Sequence, residues 1–274
     1  MKIGGTSNHR EREKGALVYP VYSRRSGGLS VGINLFSDRK LCSFDCPYCE
    51  VFPFSAAQTF SLPLMEQALA QTLSRVQERG IAVKDICFSG NGEPTLSADF
   101  PAALEVAITI RDKQAQEAAV VLITNGSGLL DEGTFDLLRR SACAEHGLRV
   151  WLKLDAGTPS WYNAMSRSSI PFERLIEKIR AFVKLAPVML QTMLCAVNGS
   201  PPPEDEGRAW EALVTELACN AVDLREVQIY GKARPAPEDP VAGELPEDFL
   251  YARAASLKSA LAAIGKEITV NIYP

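Results

Sequence analysis

Leu41-Cys42-Ser43-Phe44-Asp45-Cys46-Pro47-Tyr48-Cys49-Glu50 is the stretch on which the reading of this chain turns. Three of the seven cysteines fall inside it, spaced C-x3-C-x2-C. Thiolates set this closely on one short loop can converge on a single soft metal centre. Three ligands rather than four is the informative detail. A cubane cluster has four irons, so three cysteines leave one iron open to another ligand. Two plainer readings fit the loop as well: a zinc loop whose fourth ligand lies elsewhere, or three packed thiols.

Working outward, residues 29–36 read as a strand that leads through Ser37-Asp38-Arg39-Lys40 into the loop. A helix follows it. Ser61 stands at the N-cap, Pro63 in the first turn, and Leu62, Met65, Leu69, Leu73 and Val76 recur on one face, with Gly80 closing the end. Strands at 83–89, 120–124, 148–154, 188–197, 227–230 and 268–272 then alternate with helices. The helices run over about 99–116, from Asp131, from Pro171, around Trp210-Leu213-Val214-Leu217, and over about 246–263. This alternation predicts an α/β fold with a parallel sheet covered by helices. Six strand–helix units and one more strand are too few for a complete eight-unit barrel. An open barrel of six units and a doubly wound sheet both fit, with function at the carboxyl ends of the strands in either. Residues 29–274 read as one domain, and residues 1–28 as a polar arm carrying Arg10, Arg12, Lys14, Arg24 and Arg25. Part of that arm should pack, through Leu17, Val18, Tyr19, Val21 and Tyr22.

The chain has 274 residues, of which 46% are hydrophobic, enough for a large core. A net charge of −4 argues against a whole-surface nucleic-acid binder. No apolar run approaches the ~18–20 residues of a membrane span. An odd cysteine count, a clustered triad and no signal peptide fit a reducing cytoplasm and metal ligation better than a disulfide framework. No P-loop, Ser-His-Asp arrangement or H-E-x-x-H pattern is present to carry phosphate binding or hydrolysis. His9 and His146 stand outside any motif and read as surface residues. Cys87, Cys143, Cys195 and Cys219 lack ligand spacing and read as small buried hydrophobes.

A second motif, Ser89-Gly90-Asn91-Gly92-Glu93-Pro94, closes the strand at 83–89. Its glycines let a ligand approach the backbone closely, at the strand end where parallel sheets bind ligands. Other strand ends carry candidates too. Asn125, before Gly126, is either a ligand contact or a turn former. Lys153 and Asp155 alternate and so share a face, as a structural ion pair or as cofactor contacts. Gln191 shares a face with Met193 and needs a partner if buried. Tyr230, Lys232 and Arg234 follow the strand at 227–230.

The C-x3-C-x2-C loop with Tyr48 before the third cysteine, followed about forty residues later by Gly-Asn-Gly-Glu-Pro, resembles the radical S-adenosylmethionine (radical SAM) superfamily. Asn91 stands where glycine is more usual in that motif. Gly-Ile-Asn-Leu at 32–35, Cys-Ser-Phe-Asp-Cys at 42–46 and Phe-Ser-Gly-Asn-Gly-Glu-Pro-Thr-Leu at 88–96 look like one branch of it. So do Lys-Leu-Asp-Ala-Gly at 153–157 and Val-Gln-Ile-Tyr at 227–230. That branch is the uncharacterised proteins grouped with wyosine-type tRNA-modifying synthases. The likeness covers roughly residues 29–235. It implies a partial (β/α)6 TIM-like barrel of the radical SAM type, here with an N-terminal arm and an extra C-terminal strand.

The resemblance further implies one [4Fe–4S] cluster on Cys42, Cys46 and Cys49, with S-adenosyl-L-methionine at the open iron. Tyr48 would touch the adenine. Gly90, Asn91, Gly92 and Glu93 would form the turn for the cofactor amine, while Asn125, Lys153, Asp155 and Gln191 complete its surroundings. The implied reaction is reductive cleavage to a 5′-deoxyadenosyl radical that abstracts hydrogen from an unidentified substrate, a small molecule or a tRNA. An electron donor such as flavodoxin or ferredoxin is implied as partner. Wyosine synthases add a second cluster on upstream cysteines, and residues 1–41 contain no cysteine. The alternatives are an iron–sulfur protein that binds the cofactor without turnover and a zinc-stabilised binding module.

Overall fold

The computed structural model describes residues 16–57, 59–239 and 241–274. The arm residues Arg10, Arg12 and Lys14, and His9, lie outside the described residues. By its contacts the chain forms two compact units, each assembled from separate stretches of sequence.

The first unit comprises the described residues through Cys42, Val51–Thr124 and Ala144–Arg149. Strand β1 (Val18–Ser23) pairs antiparallel with β2 (Gly28–Ile33), which runs parallel to β3 (Val83–Phe88). Strand β4 (Ala119–Thr124) lies parallel to β3 on its other side. Helices α1 (Leu62–Gln77) and α2 (Phe100–Gln114) connect β2 to β3 and β3 to β4. Met65, Leu69, Leu73 and Val76 are buried on α1, as their spacing requires. Ser61 is at the N-cap without a side-chain cap bond, and Gly80 takes the left-handed conformation (φ 68°).

The end of the expected arm is thus ordered structure. Residues 18–23 form a strand where the composition suggests a polar extension. Pro20 is tolerated there because β1 pairs on one side only.

The second unit comprises Ser43–Glu50, Asn125–Cys143 and Val150–Pro274. It holds most of β5 (Leu148–Lys153), then β6 (Val188–Leu194), β8 (Leu224–Gly231) and β10 (Thr269–Tyr273), paired in parallel in that order. Helices α3 (Glu132–Cys143), α4 (Pro159–Ser166), α5 (Phe172–Val183), α6 (Glu204–Asn220) and α7 (Glu247–Ala263) belong to it. Asp131 caps α3 through Thr134 N (2.8 Å).

Two features of this unit are missing from the sequence reading. Helix α4 is only eight residues long, started by Thr158, which accepts from Trp161 N, and by Pro159 at its first position. The other is the two-residue ladder of β7 (Ala196–Val197) with β9 (Ala242–Gly243).

Cys87 and Cys195 are buried as expected, but Cys143 and Cys219 are exposed. Both lie toward the ends of helices, where a small thiol is tolerated without a core to enter. His146 is exposed, as expected. Among the described residues no helix is long and apolar enough to cross a membrane.

Candidate cofactor site

In the first unit, the Gly90–Glu93 turn is held by hydrogen bonds that its own neighbours supply. Asn34 Oδ1 accepts from Asn91 N (3.1 Å), and Asn91 Nδ2 donates to Phe36 O (2.9 Å). Leu41, the residue before Cys42, is gripped from both sides: its N–H donates to Asn91 O (3.0 Å) and its carbonyl accepts from Glu93 N (2.9 Å). Gly92 is needed for this grip, because a Cβ there would stand 1.7 Å from Leu41 O. Gly90 has φ 132°, a backbone conformation that L side chains rarely adopt.

The Glu93 side chain is 2% exposed. Its Oε1 accepts from Thr95 N (3.2 Å), Thr95 Oγ1 (2.7 Å) and Thr124 Oγ1 (2.7 Å). These bonds tie the turn to the end of the neighbouring strand.

In the second unit, four of the expected residues meet. Asp155 accepts from Tyr48 OH and, through Oδ1, from Met193 N (2.8 Å). Lys153 Nζ lies 3.3 Å from Asp155 Oδ2 and donates to Tyr230 OH (2.8 Å). The same ammonium sits 4.6 Å from the centroid of the Tyr48 ring and 5.5 Å from that of Tyr230. Burial opposes the charge on Lys153, but Asp155 and Tyr230 outweigh it and hold the amine above its ordinary range. Burial, and then the Asp155 charge, push the Tyr48 hydroxyl well up. The structural ion pair is therefore present, in a hydrogen-bonded group that includes both tyrosines.

Tyr48 also packs with Met165, Met193, Cys195 and Ala242, and Cys46 lies against that cluster. Burial raises the Cys46 thiol to about 12, against the opposing pull of Lys153.

The loop itself is tied down along its length. Asp45 N donates to Ser166 O (2.7 Å) and Ser168 Oγ to Ser43 O (3.0 Å). Phe44 meets Tyr162 edge-on, 5.7 Å between centroids. Asn125 Nδ2 donates to Ser43 Oγ (3.1 Å), while its Oδ1 accepts from Ser127 N (2.9 Å) around a left-handed Gly126. Asn125 thus forms the turn and reaches the cysteine loop with the same amide.

Gln191 is fully buried and donates to Gln228 Oε1 (2.7 Å), which supplies the partner its burial demands. Lys232 pairs with Asp239 (2.8 Å) and Arg234 with Glu50 (2.8 Å). Both basic side chains are largely buried.

Cys42, Cys46 and Cys49 are all half-buried, and none of the seven cysteines is in a disulfide. Cys49 N donates to Cys46 O (3.0 Å), so the chain turns back between these two ligand positions. Three soft donors on a turning, partly shielded loop fit an iron–sulfur cluster. Among the described residues, no group of three or more His, Cys, Asp or Glu side chains is gathered tightly enough to hold a metal ion as it stands.

The family model for the radical SAM superfamily matches residues 40–201, more than half of the chain. The chain belongs to the radical SAM superfamily. A radical SAM methyltransferase from Sphaerobacter thermophilus is similar in structure at a TM-score of 0.62 and 15% identity, over 92% of this chain and 68% of that one. Streptococcus suis SuiB bound to S-adenosylmethionine gives 0.62 at 11% identity, over 92% of this chain and 52% of its own. These likenesses show the fold, the α/β TIM-like partial barrel of the superfamily. A UPF0026 protein of Helicobacter pylori (strain J99) is 28% identical over 109 residues, 39% of this chain. The chain spans about a third of the length of that curated relative, 34%.

Proposed function

We propose that this radical SAM protein is an enzyme with one [4Fe–4S] cluster on Cys42, Cys46 and Cys49 and S-adenosylmethionine as its second cofactor. The observation that carries the reading is the partly buried meeting of Lys153 and Asp155 with Tyr48 of the cysteine loop. When bound, the two cofactors supply one-electron reductive cleavage and, through a 5′-deoxyadenosyl radical, hydrogen abstraction from a substrate.

The chain's own residues bind and orient. Lys153 offers a permanent positive charge to the cofactor carboxylate, and Asp155 an acceptor to a ribose hydroxyl, with Asn125 at the far end of the loop. Tyr48 offers its ring to the adenine. Backbone groups of Gly90, Asn91 and Gly92 serve the amine, while Glu93 keeps that turn in shape. Gln191, engaged with Gln228, stands beside Lys153 in the next strand and supports it.

Within the superfamily, the runs at 32–35, 42–46 and 88–96 favour the branch grouped with wyosine-type synthases. The comparisons do not single that branch out. Residues 1–41 offer no cysteine to a second cluster. The substrate is a small molecule or a tRNA, and the electron donor a flavodoxin or ferredoxin. Seven cysteines outside disulfides favour the cytoplasm.

Anaerobic reconstitution followed by dithionite and S-adenosylmethionine tests the proposal. Iron-dependent absorbance near 400 nm and release of 5′-deoxyadenosine are expected, rising with either the RNA or the small-molecule fraction of a cell extract. An intact cluster without that product would leave a binding protein, and zinc in place of iron a zinc-stabilised module.

A further inference from the structure

The sheet of the second unit has two unlike faces. Leu152, Leu190, Val227, Ile229 and Val270 alternate onto one, all nearly or fully buried. The opposite face carries two rows in register across four strands. One is Lys153, Gln191, Gln228 and Asn271; the other is Trp151, Met189, Glu226 and Thr269. A parallel sheet packed by helices on both faces is apolar on both. This second face is not built for helix packing.

Glu226 is the charge at its centre. Its Oε1 accepts from Gln228 Nε2 (3.1 Å) and Asn271 Nδ2 (2.7 Å), and Gln228 is itself held by Gln191. Among the described residues Oε2 has no hydrogen-bond partner and the carboxylate no cation, although its surroundings are half-buried. Two strands away in the same row, the Trp151 indole is 5% exposed and its Nε1 has no acceptor among the described residues. The other buried indole of the unit shows what is ordinary: Trp210 Nε1 reaches both Leu154 O (3.0 Å) and Thr192 Oγ1 (3.2 Å). A fixed acceptor and an orphaned donor thus stand on one face.

We infer that Glu226 and Trp151 form a substrate subsite for a cationic amine bearing a carbonyl acceptor a few bonds away, as an α-amino amide or amino-acid end does. This rests on the radical SAM reading for its role as substrate site, though not for its binding. Two strand spacings separate the pair by about 9.6 Å. Two hydrogen bonds of about 2.9 Å leave roughly 4 Å for the ligand's own donor-to-acceptor distance, if the side chains stand off the sheet in parallel and the ligand crosses above Met189, which lies between them in the row. The ammonium supplies the missing cation to Glu226, and the carbonyl accepts from Trp151. Asn271 and Gln228, the latter held by Gln191, fix the carboxylate so that it need not reorganise on binding.

Calorimetry on the reconstituted full chain, repeated on the metal-free chain, tests this with glycinamide, methylammonium and acetamide as probes. The indole ¹⁵N resonance of Trp151, identified by its loss in Trp151→Phe, is followed in the metal-free chain. Glycinamide should bind and shift that resonance, methylammonium bind more weakly without the shift, and acetamide not bind. Glu226→Gln, which keeps an acceptor for its two amides, should weaken glycinamide about tenfold or more. Trp151→Phe should weaken glycinamide toward the methylammonium level. Equal binding of glycinamide and acetamide, or unchanged binding in Glu226→Gln or in Trp151→Phe, overturns the inference. Should the wild-type enzyme release no 5′-deoxyadenosine, the radical reading fails while the glycinamide result stands separately.

Discussion

Glu93 in the first unit, buried, and Asp155 in the second, partly exposed, are carboxylates at strand ends, each accepting several hydrogen bonds. Their donors differ in kind. Glu93 is held by an amide and two hydroxyls, from Thr95 two residues on and Thr124 on the next strand. Asp155 is held by a cation, a phenol and an amide drawn from residues 153, 48 and 193. The first is a brace: it shapes a turn whose backbone grips Leu41. The second is an electrostatic centre, assembled from distant parts of the chain and built around a charge that a ligand can share. A carboxylate that braces its own turn against the neighbouring strand is structural, and one that gathers an adjacent cation and a phenol from the cysteine loop marks a candidate site.

Removing the cation should break that contrast most visibly. Lys153→Met leaves Asp155 partly buried with neutral donors only and should cost about 3 kcal/mol or more of stability, read by urea unfolding. Adding Asp155→Leu should restore part of it. If the single change costs less than 1 kcal/mol on the order of a surface pair, the centre is solvated and the contrast falls.

Gly92→Ala comes next, because the new Cβ meets backbone rather than a yielding side chain. A loss of about 2–3 kcal/mol is expected, with faster hydrogen exchange at the Leu41 and Glu93 amides. Unaltered exchange there would show that the turn does not hold Leu41.

Glu93→Gln should have the smallest effect, about 1 kcal/mol, since the amide oxygen can still accept and no charge is left unpaired. A loss equal to that of Lys153→Met would mean that the two carboxylates are of one kind after all.

Much of the site is legible from residue types. The cysteine spacing names the loop, the glycines name the turn, and the Lys153–Asp155 alternation puts both side chains on one face. Other parts carry weak signals. Strand β1 lies in a stretch with Pro20, Arg24 and Arg25, whose polarity suggests an arm. Helix α4 is too short for periodicity to show, although Thr158-Pro159 marks its start. A signal was also available for the open face of the second unit. Residues 189, 191 and 226, 228 alternate polar or sulfur-bearing side chains with aliphatic ones, a pattern a sheet covered on both faces would not carry.

By itself, the sequence determined the elements and the donor chemistry, because these depend on local periodicity and on residue type at close spacing. Only the tertiary structure decided which groups satisfy one another. It gave Gln228 to Gln191, Tyr48 to Asp155 and Tyr230 to Lys153, and among the described residues it left Glu226 without a cation and Trp151 without an acceptor. Hydrogen bonds and ion pairs form between atoms a few ångströms apart, and strand pairing brings together residues that are tens of positions apart in the chain.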